Sequence, residues 1–134
     1  MLLGIISANG QNTDSCQKEV RIIRTDKSPV IDGILDDEVW TSSYAADNFI
    51  EHWPTTEGQP SVKTEVKVIY NNTGIYIGAM LYDSSPDSIM TELSLRDNIG
   101  NADWFGVFID AYRDGNNGVG FMVTASNVQT DLEI

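Results

Sequence analysis

Aromatic side chains are the residues of this chain best suited to ligand chemistry, because a flat ring can stack on the apolar C–H face of a sugar. Trp53 lies in the polar segment 51–54, where no hydrophobic periodicity predicts burial. An exposed tryptophan often marks a binding site, so Trp53 is a candidate ligand-binding residue. Trp40 ends an amphipathic segment and is predicted to belong to the core. Trp104 fits either the core or the lining of a groove, because both faces of its predicted strand are apolar.

The sequence motifs of common enzyme classes are absent. The sequence has no phosphate-cradling Gly-Lys-Ser/Thr loop, no dinucleotide fingerprint and no Gly-x-Ser-x-Gly elbow. The single histidine, His52, and the single cysteine, Cys16, cannot build a zinc site of the usual kind. Carboxylates are abundant, but nothing marks one whose pKa is raised in a dry cleft for acid–base work. We therefore predict a domain that is not an enzyme by itself.

Aspartates offer one further kind of chemistry, the binding of calcium through carboxylate and carbonyl oxygens. Asp32 and Asp36 are the candidate metal ligands, with the alternative that they are turn and helix-cap residues. Asp110 begins a segment that resembles a calcium-binding EF-hand loop. The twelfth position of that segment is Phe121 rather than glutamate, so the EF-hand pattern fails.

Composition limits the possible partners. The chain has 134 residues, which suits one domain, and its net charge is -12. Nucleic acid and anionic membrane surfaces are disfavoured, because both require clustered cations. Residues 1–10 (MLLGIISANG) resemble the end of a signal peptide, and residues 1–19 are interpreted as a signal-peptide remnant and polar leader. We therefore expect an exported protein that works in the periplasm, at the cell surface or outside the cell.

Alternation of apolar and polar residues predicts an all-β fold. The clearest signal is a hairpin in which strand 62–70 and strand 75–81 flank the turn-rich sequence 71–74. Strands at this spacing, with one or two short helices, predict a β-sandwich. The chain stops inside a predicted strand, so we expect the last strands of the domain to be missing. The other predicted elements are strands at 20–23, 91–96, 104–109, 118–124 and 131–134, a helix at 36–40 and a helical turn at 85–87.

Three segments together resemble the family 9 carbohydrate-binding modules. They are residues 30–40 (VIDGILDDEVW), the hairpin 66–83 and the strand 103–110 (DWFGVFID), and the match covers residues 20–134. The resemblance implies a jelly-roll β-sandwich that binds saccharide ends, often contains calcium and usually accompanies xylan-degrading enzymes. It makes Trp53 the counterpart of one sugar-stacking tryptophan, and Arg96 and Asn98 the polar pair beside the sugar. The family's second stacking tryptophan lies beyond Ile134.

One departure from the family pattern leaves a second function open. Gly106 stands where the family usually has glutamate, and Trp104 stands where it has a small residue. This form looks closer to a subgroup in which the module precedes a region resembling an outer-membrane barrel. The first interpretation is non-catalytic binding of a poly- or oligosaccharide, in support of polysaccharide breakdown by a larger secreted protein. The alternative is a periplasmic or surface accessory domain with a protein partner.

Overall fold

The computed structural model describes residues 18–54 and 58–134, so most of the predicted leader, including Cys16, lies outside the described residues. The chain divides into two compact units, Met1–Asp83 and Ser84–Ile134, and each is described by itself. Each unit contains one β-sheet, and the helices in the described residues are single turns. The predicted all-β fold class is confirmed.

The first unit is a four-stranded sheet built around one central strand, β3. β3 pairs antiparallel with β4 from Thr64 opposite Leu81 to Tyr70 opposite Ile75, which confirms the predicted hairpin. On its other side β3 pairs with two short strands, parallel to β1 and antiparallel to β2. The strands are β1 (Ile23–Arg24), β2 (Ala45–Ala46), β3 (Thr64–Tyr70) and β4 (Ile75–Leu81).

The first strand differs from its prediction at 20–23. It begins only at Ile23, because only Ile23 and Arg24 find partners, at Ile69 and Tyr70 of β3. The strand β2 was not predicted, since two alanines carry no alternating pattern.

The helix of the first unit begins later than its prediction at 36–40. The helix α1 spans Glu38–Thr41, and its N-cap residue is Asp37 instead of Asp36. The Asp37 side chain makes no capping bond, and its Oδ2 accepts a hydrogen bond from the amide of Val30 over 3.0 Å. That bond ties the preceding extended segment to the start of the helix.

Part of the core of the first unit lies between this helix and the sheet. Trp40 is buried there, as predicted, and the fully buried Ile69 shares its face of β3 with Lys67, the partner of Gly78. Val66 and Val68 are also buried, but strand alternation places them on the opposite face of the sheet. Gly78 of β4 makes room for this packing, because a Cβ at that position would lie 2.6 Å from Cδ2 of Leu35.

A polar network ties the segment after β1 to the tip of the β3–β4 hairpin. The Tyr76 hydroxyl donates to Oγ of Ser28 over 2.9 Å, and Nδ2 of Asn71 donates to the same oxygen over 3.0 Å. Oδ1 of Asn71 accepts from the amides of Thr73 and Gly74, which closes the turn. When Tyr76 is deprotonated, its oxygen can accept hydrogen bonds from the hydroxyls of Ser28 and Thr73, and this holds the pKa of Tyr76 below its ordinary value.

The second unit is a three-stranded antiparallel sheet in the order β5-β6-β7. Its strands are β5 (Trp104–Ile109), β6 (Val119–Thr124) and β7 (Gln129–Glu133). These confirm the three strands predicted from residue 104 onward, and the predicted helical turn is a 3-10 turn at Pro86–Ser88. The connection between β5 and β6 is held by Asp110, whose carboxylate accepts from the amides of Asp114 and Gly115 at 3.3 and 2.9 Å.

The prediction of a strand at 91–96 is wrong. Only Thr91 forms a bridge, to Ala102, and the rest of the segment pairs with no strand of the described sheets. Leu93 and Leu95 are 78% and 82% exposed. The alternation of apolar residues is real, but a strand also needs a neighbouring strand to satisfy its backbone groups.

Candidate functional site

Trp53 lies on the surface of the first unit, in a loop closed by an antiparallel bridge between Glu51 and Gly58. The amide of Glu51 donates to the carbonyl oxygen of Gly58 over 2.8 Å. The Trp53 side chain is 75% exposed, which agrees with the exposure expected from its polar surroundings in the sequence. An indole that remains in water beside a closed loop can stack on a ligand without first leaving a packed core.

A polar hollow of about 210 Å³ lies in the segments that lead into and out of this loop. Carboxylate, amide, hydroxyl and ammonium groups are therefore gathered close to the base of the Trp53 loop. Those groups are typical of sites that form hydrogen bonds with the hydroxyl groups of a ligand. The polar lining residues are Asp47, Asn48, Gln59, Ser61, Lys63 and Thr64.

Lys63, in the lining of the hollow, interacts with two side chains of the hairpin region, Glu65 and Tyr82. Nζ of Lys63 donates to Oε1 of Glu65 over 2.7 Å and lies 5.7 Å from the centre of the Tyr82 ring. The Tyr82 hydroxyl donates to Oε2 of the same glutamate over 2.7 Å. The bond to Glu65 raises the pKa of Lys63, and the bond from Lys63, followed by that from Tyr82, lowers the pKa of Glu65. Lys63 therefore stays cationic but is balanced locally by a carboxylate.

Arg96 and Asn98 share one loop of the second unit, and β7 holds the arginine. The Arg96 guanidinium donates to the carboxylate of Asp131 and, over 3.4 Å, to Oε1 of Gln129. Oδ1 of Asn98 accepts from the amide of Gly100 over 3.1 Å, within the loop. Both side chains thus have protein partners, and those of Arg96 come from β7, which no local sequence pattern indicates.

Trp104 begins β5 opposite Thr124 and is half-buried. Its ring packs over Gly106: a Cβ at residue 106 would lie 3.0 Å from Cζ3 of Trp104 and 3.1 Å from Cγ of Met122. A side chain at position 106 would therefore crowd the indole, which would have to shift by a few tenths of an ångström. The Trp104 ring and the absence of a side chain at Gly106 are therefore sterically coupled in this strand.

The candidate calcium ligands do not form a cluster. Oδ1 of Asp32 accepts from the amide of Ile34 over 2.9 Å, as an aspartate does in a turn, and Asp36 is exposed. Within the described ranges, no group of three or more acidic, histidine or cysteine side chains could hold a metal ion. The described side chains therefore give no support to calcium binding at Asp32 and Asp36, which stays a prediction.

The predicted site residues belong to different units. Trp53 lies in the first, whereas Arg96, Asn98 and Trp104 lie in the second. The polar hollow was missed by sequence reasoning, although polar residues at 47–48 and 59–61, on both sides of the tryptophan loop, were a usable signal.

Comparisons with known proteins give no relative from which a function could be transferred. No family model, curated protein or solved structure matches the chain. In the part of the chain that the structure describes, no helix is long and apolar enough to cross a membrane. The resemblance to family 9 carbohydrate-binding modules, and export from the cell, therefore stay predictions.

Proposed function

We propose that this chain is a non-catalytic carbohydrate-binding domain of an exported protein, and that it supports the breakdown of xylan or another polysaccharide. The observation that carries the proposal is the 75% exposure of Trp53 in a loop whose flanking segments line a polar hollow. The ring supplies a stacking surface, and the hollow supplies donors and acceptors for hydroxyl groups.

The charge of the hollow favours a neutral ligand. Lys63 is paired with Glu65, and Asp47 adds a negative charge to the lining. A neutral saccharide presents hydroxyls that can both donate to a carboxylate and accept from an ammonium or amide group. Stacking and a few hydrogen bonds in a site open to water are expected to give a micromolar to millimolar Kd, or about -4 to -8 kcal/mol.

Calorimetric titration of the chain with xylo- and cello-oligosaccharides tests this function. We expect binding heat with at least one of them, and we expect Trp53→Ala to remove most of the affinity without lowering the melting temperature. Gln59→Ala, in the hollow, is expected to weaken binding less. Tyr112→Ala is the matched control, because this exposed aromatic residue lies in the second unit.

Two results would contradict the proposal. Absence of heat with every saccharide would favour the accessory-domain interpretation, with a protein as partner. A lower melting temperature of Trp53→Ala with unchanged binding would mean that the indole has a packing role instead.

A further inference from the structure

One face of the second sheet is lined with apolar side chains, which are half-buried on β5 and exposed on β6. The registers of β5 with β6 and of β6 with β7 place alternate residues of the three strands on this face. We call it the outer face, and its apolar members are Phe105, Val107, Ile109, Val119, Phe121 and Val123.

Burial differs sharply between the two faces of β6. Gly120, Met122 and Thr124 are buried, whereas the intervening residues are exposed, and Phe121 has 53% of its surface in water. Single exposed apolar side chains are common, but Val119, Phe121 and Val123 are exposed next to one another on one face of a strand, which is typical of an interaction surface.

Acidic residues border this outer face along β7. Asp131 stands opposite Phe121, and Glu133 stands opposite Val119. The Asp131 carboxylate is already paired with Arg96. Glu133 has no cationic partner among residues 18–54 and 58–134. A carboxylate beside exposed apolar side chains favours a partner that carries positive charge.

A hollow of about 260 Å³ opens at the end of the outer face, beside the β5–β6 connection. Its lining includes the apolar residues Ile109 and Val119, the acidic Glu133 and Tyr112, which is 83% exposed. An aromatic ring and a carboxylate in one apolar hollow are suited to a Lys or Arg side chain, whose stem is apolar and whose head is cationic.

We propose that the outer face binds a partner protein through a segment that combines apolar side chains with Lys or Arg. The apolar side chains cover Phe121 and its neighbours, and one cationic side chain enters the hollow between Tyr112 and Glu133. The net charge of -12 attracts such a segment at a distance. Because every residue involved belongs to the second unit, this proposal can be tested independently of saccharide binding at Trp53.

Fluorescence anisotropy with the whole chain tests the proposal, using a labelled peptide of alternating valine and lysine. We expect this peptide to bind more weakly as salt is added, and we expect the same peptide with glutamate in place of lysine not to bind. Phe121→Ser and Tyr112→Ala are each expected to weaken binding roughly tenfold, and Glu133→Gln several-fold. Asp87→Asn, an exposed acid in the 3-10 turn, and Trp53→Ala are the controls and are expected to bind like the wild type.

Three outcomes would overturn the proposal. Equal binding of both peptides would show unselective apolar adhesion, and unchanged binding by Glu133→Gln and Tyr112→Ala would place the cation elsewhere. Self-association in sedimentation that Phe121→Ser abolishes would assign the face to a second copy of the chain. If Phe121→Ser fails to fold, the Tyr112 and Glu133 variants still decide the question.

Discussion

The backbone amide of Asp97 donates a hydrogen bond to the carbonyl oxygen of Gln129 over 3.1 Å, on the side of β7 that faces away from β6. Oδ1 of Asp97 also accepts from the amide of Asp131 over 3.4 Å. One residue thus satisfies two backbone groups of an edge strand. An edge left open invites pairing with other chains, so this loop protects the sheet.

Asp97 adopts a φ of 65°, which an L residue with a Cβ rarely does, although Asn and Asp tolerate it. We expect Asp97→Ala to lower the free energy of unfolding by about 1–2 kcal/mol, since it loses the Oδ1 acceptor and keeps the strain. Asp97→Asn keeps the Oδ1 acceptor and tolerates a positive φ, so we expect its free energy of unfolding to be close to that of the wild type. Urea denaturation measures both variants, and equal stability of Asp97→Ala and wild type would contradict this role.

Gly78 lies where β4 passes under Leu35 and Trp40. A Cβ at this position would be 2.6 Å from Cδ2 of Leu35 and 3.3 Å from Cη2 of the buried Trp40. We expect Gly78→Ala to destabilise the chain by about 1–3 kcal/mol through overpacking, measured as a shift of the thermal or urea midpoint. Gly74→Ala is the control, because nothing lies within 4 Å of its added Cβ. Similar costs for the two variants would argue against the packing explanation.

The hydrogen bonds to Glu65 predict a pH dependence of stability. Lys63, and then Tyr82, hold the pKa of Glu65 below its ordinary value. The stabilisation by this carboxylate is therefore complete above the unfolded-state pKa of about 4.3, and it is lost as the pH falls through the lower folded-state pKa. We expect the difference in free energy of unfolding between wild type and Glu65→Gln to shrink at acidic pH. Urea denaturation at a series of pH values measures this difference. A difference that grows on acidification would contradict this assignment.

The same cluster makes a spectroscopic prediction. The hydrogen bond to Glu65, followed by burial, raises the pKa of Tyr82. We expect Glu65→Gln to move one tyrosine to a lower pKa in an absorbance titration, and we expect Tyr82→Phe to remove that component. If Glu65→Gln leaves the tyrosine titration unchanged, the bond between Tyr82 and Glu65 is not maintained in solution.

Another prediction concerns catalysis. The carboxyl groups with a shifted pKa in the described residues, Glu65 and Asp114, are both shifted downward. A general acid for glycoside cleavage needs the opposite shift. We expect the purified chain to release no reducing sugar from xylan or simple glycosides. Robust release that a single Asp or Glu substitution abolishes would refute this expectation.

The parts of the fold that the sequence predicted are those governed by local patterns. Strict alternation around a turn-rich segment gave the β3–β4 hairpin at 64–81, and apolar runs gave the strands that begin at Trp104 and Val119. The segment 91–96 shows the same alternation but has no neighbouring strand, so the pattern alone predicted an element that does not form. Pairing is a property of two segments, and only one of them is visible in a local pattern.

Local patterns likewise predicted only part of the candidate site. Exposure of Trp53 followed from its polar neighbours, since no hydrophobic periodicity in segment 51–54 predicts burial. The partners of Arg96 could not be foreseen, because Gln129 and Asp131 come from a strand more than thirty residues away, as the separations of 33 and 35 show. Long-range side-chain partners depend on topology and register rather than on composition.

The polar network at the hairpin tip has a consequence for the order of folding. Tyr76 and Ser28 lie 48 residues apart, whereas the β3–β4 turn closes within the four residues from Asn71 to Gly74. Chain-closure entropy therefore favours early formation of the hairpin, and we expect β1 and the Ser28 segment to dock after the rate-limiting step. Ser28→Ala is then expected to speed unfolding and leave the refolding rate nearly unchanged, whereas Val68→Ala in the hairpin slows refolding.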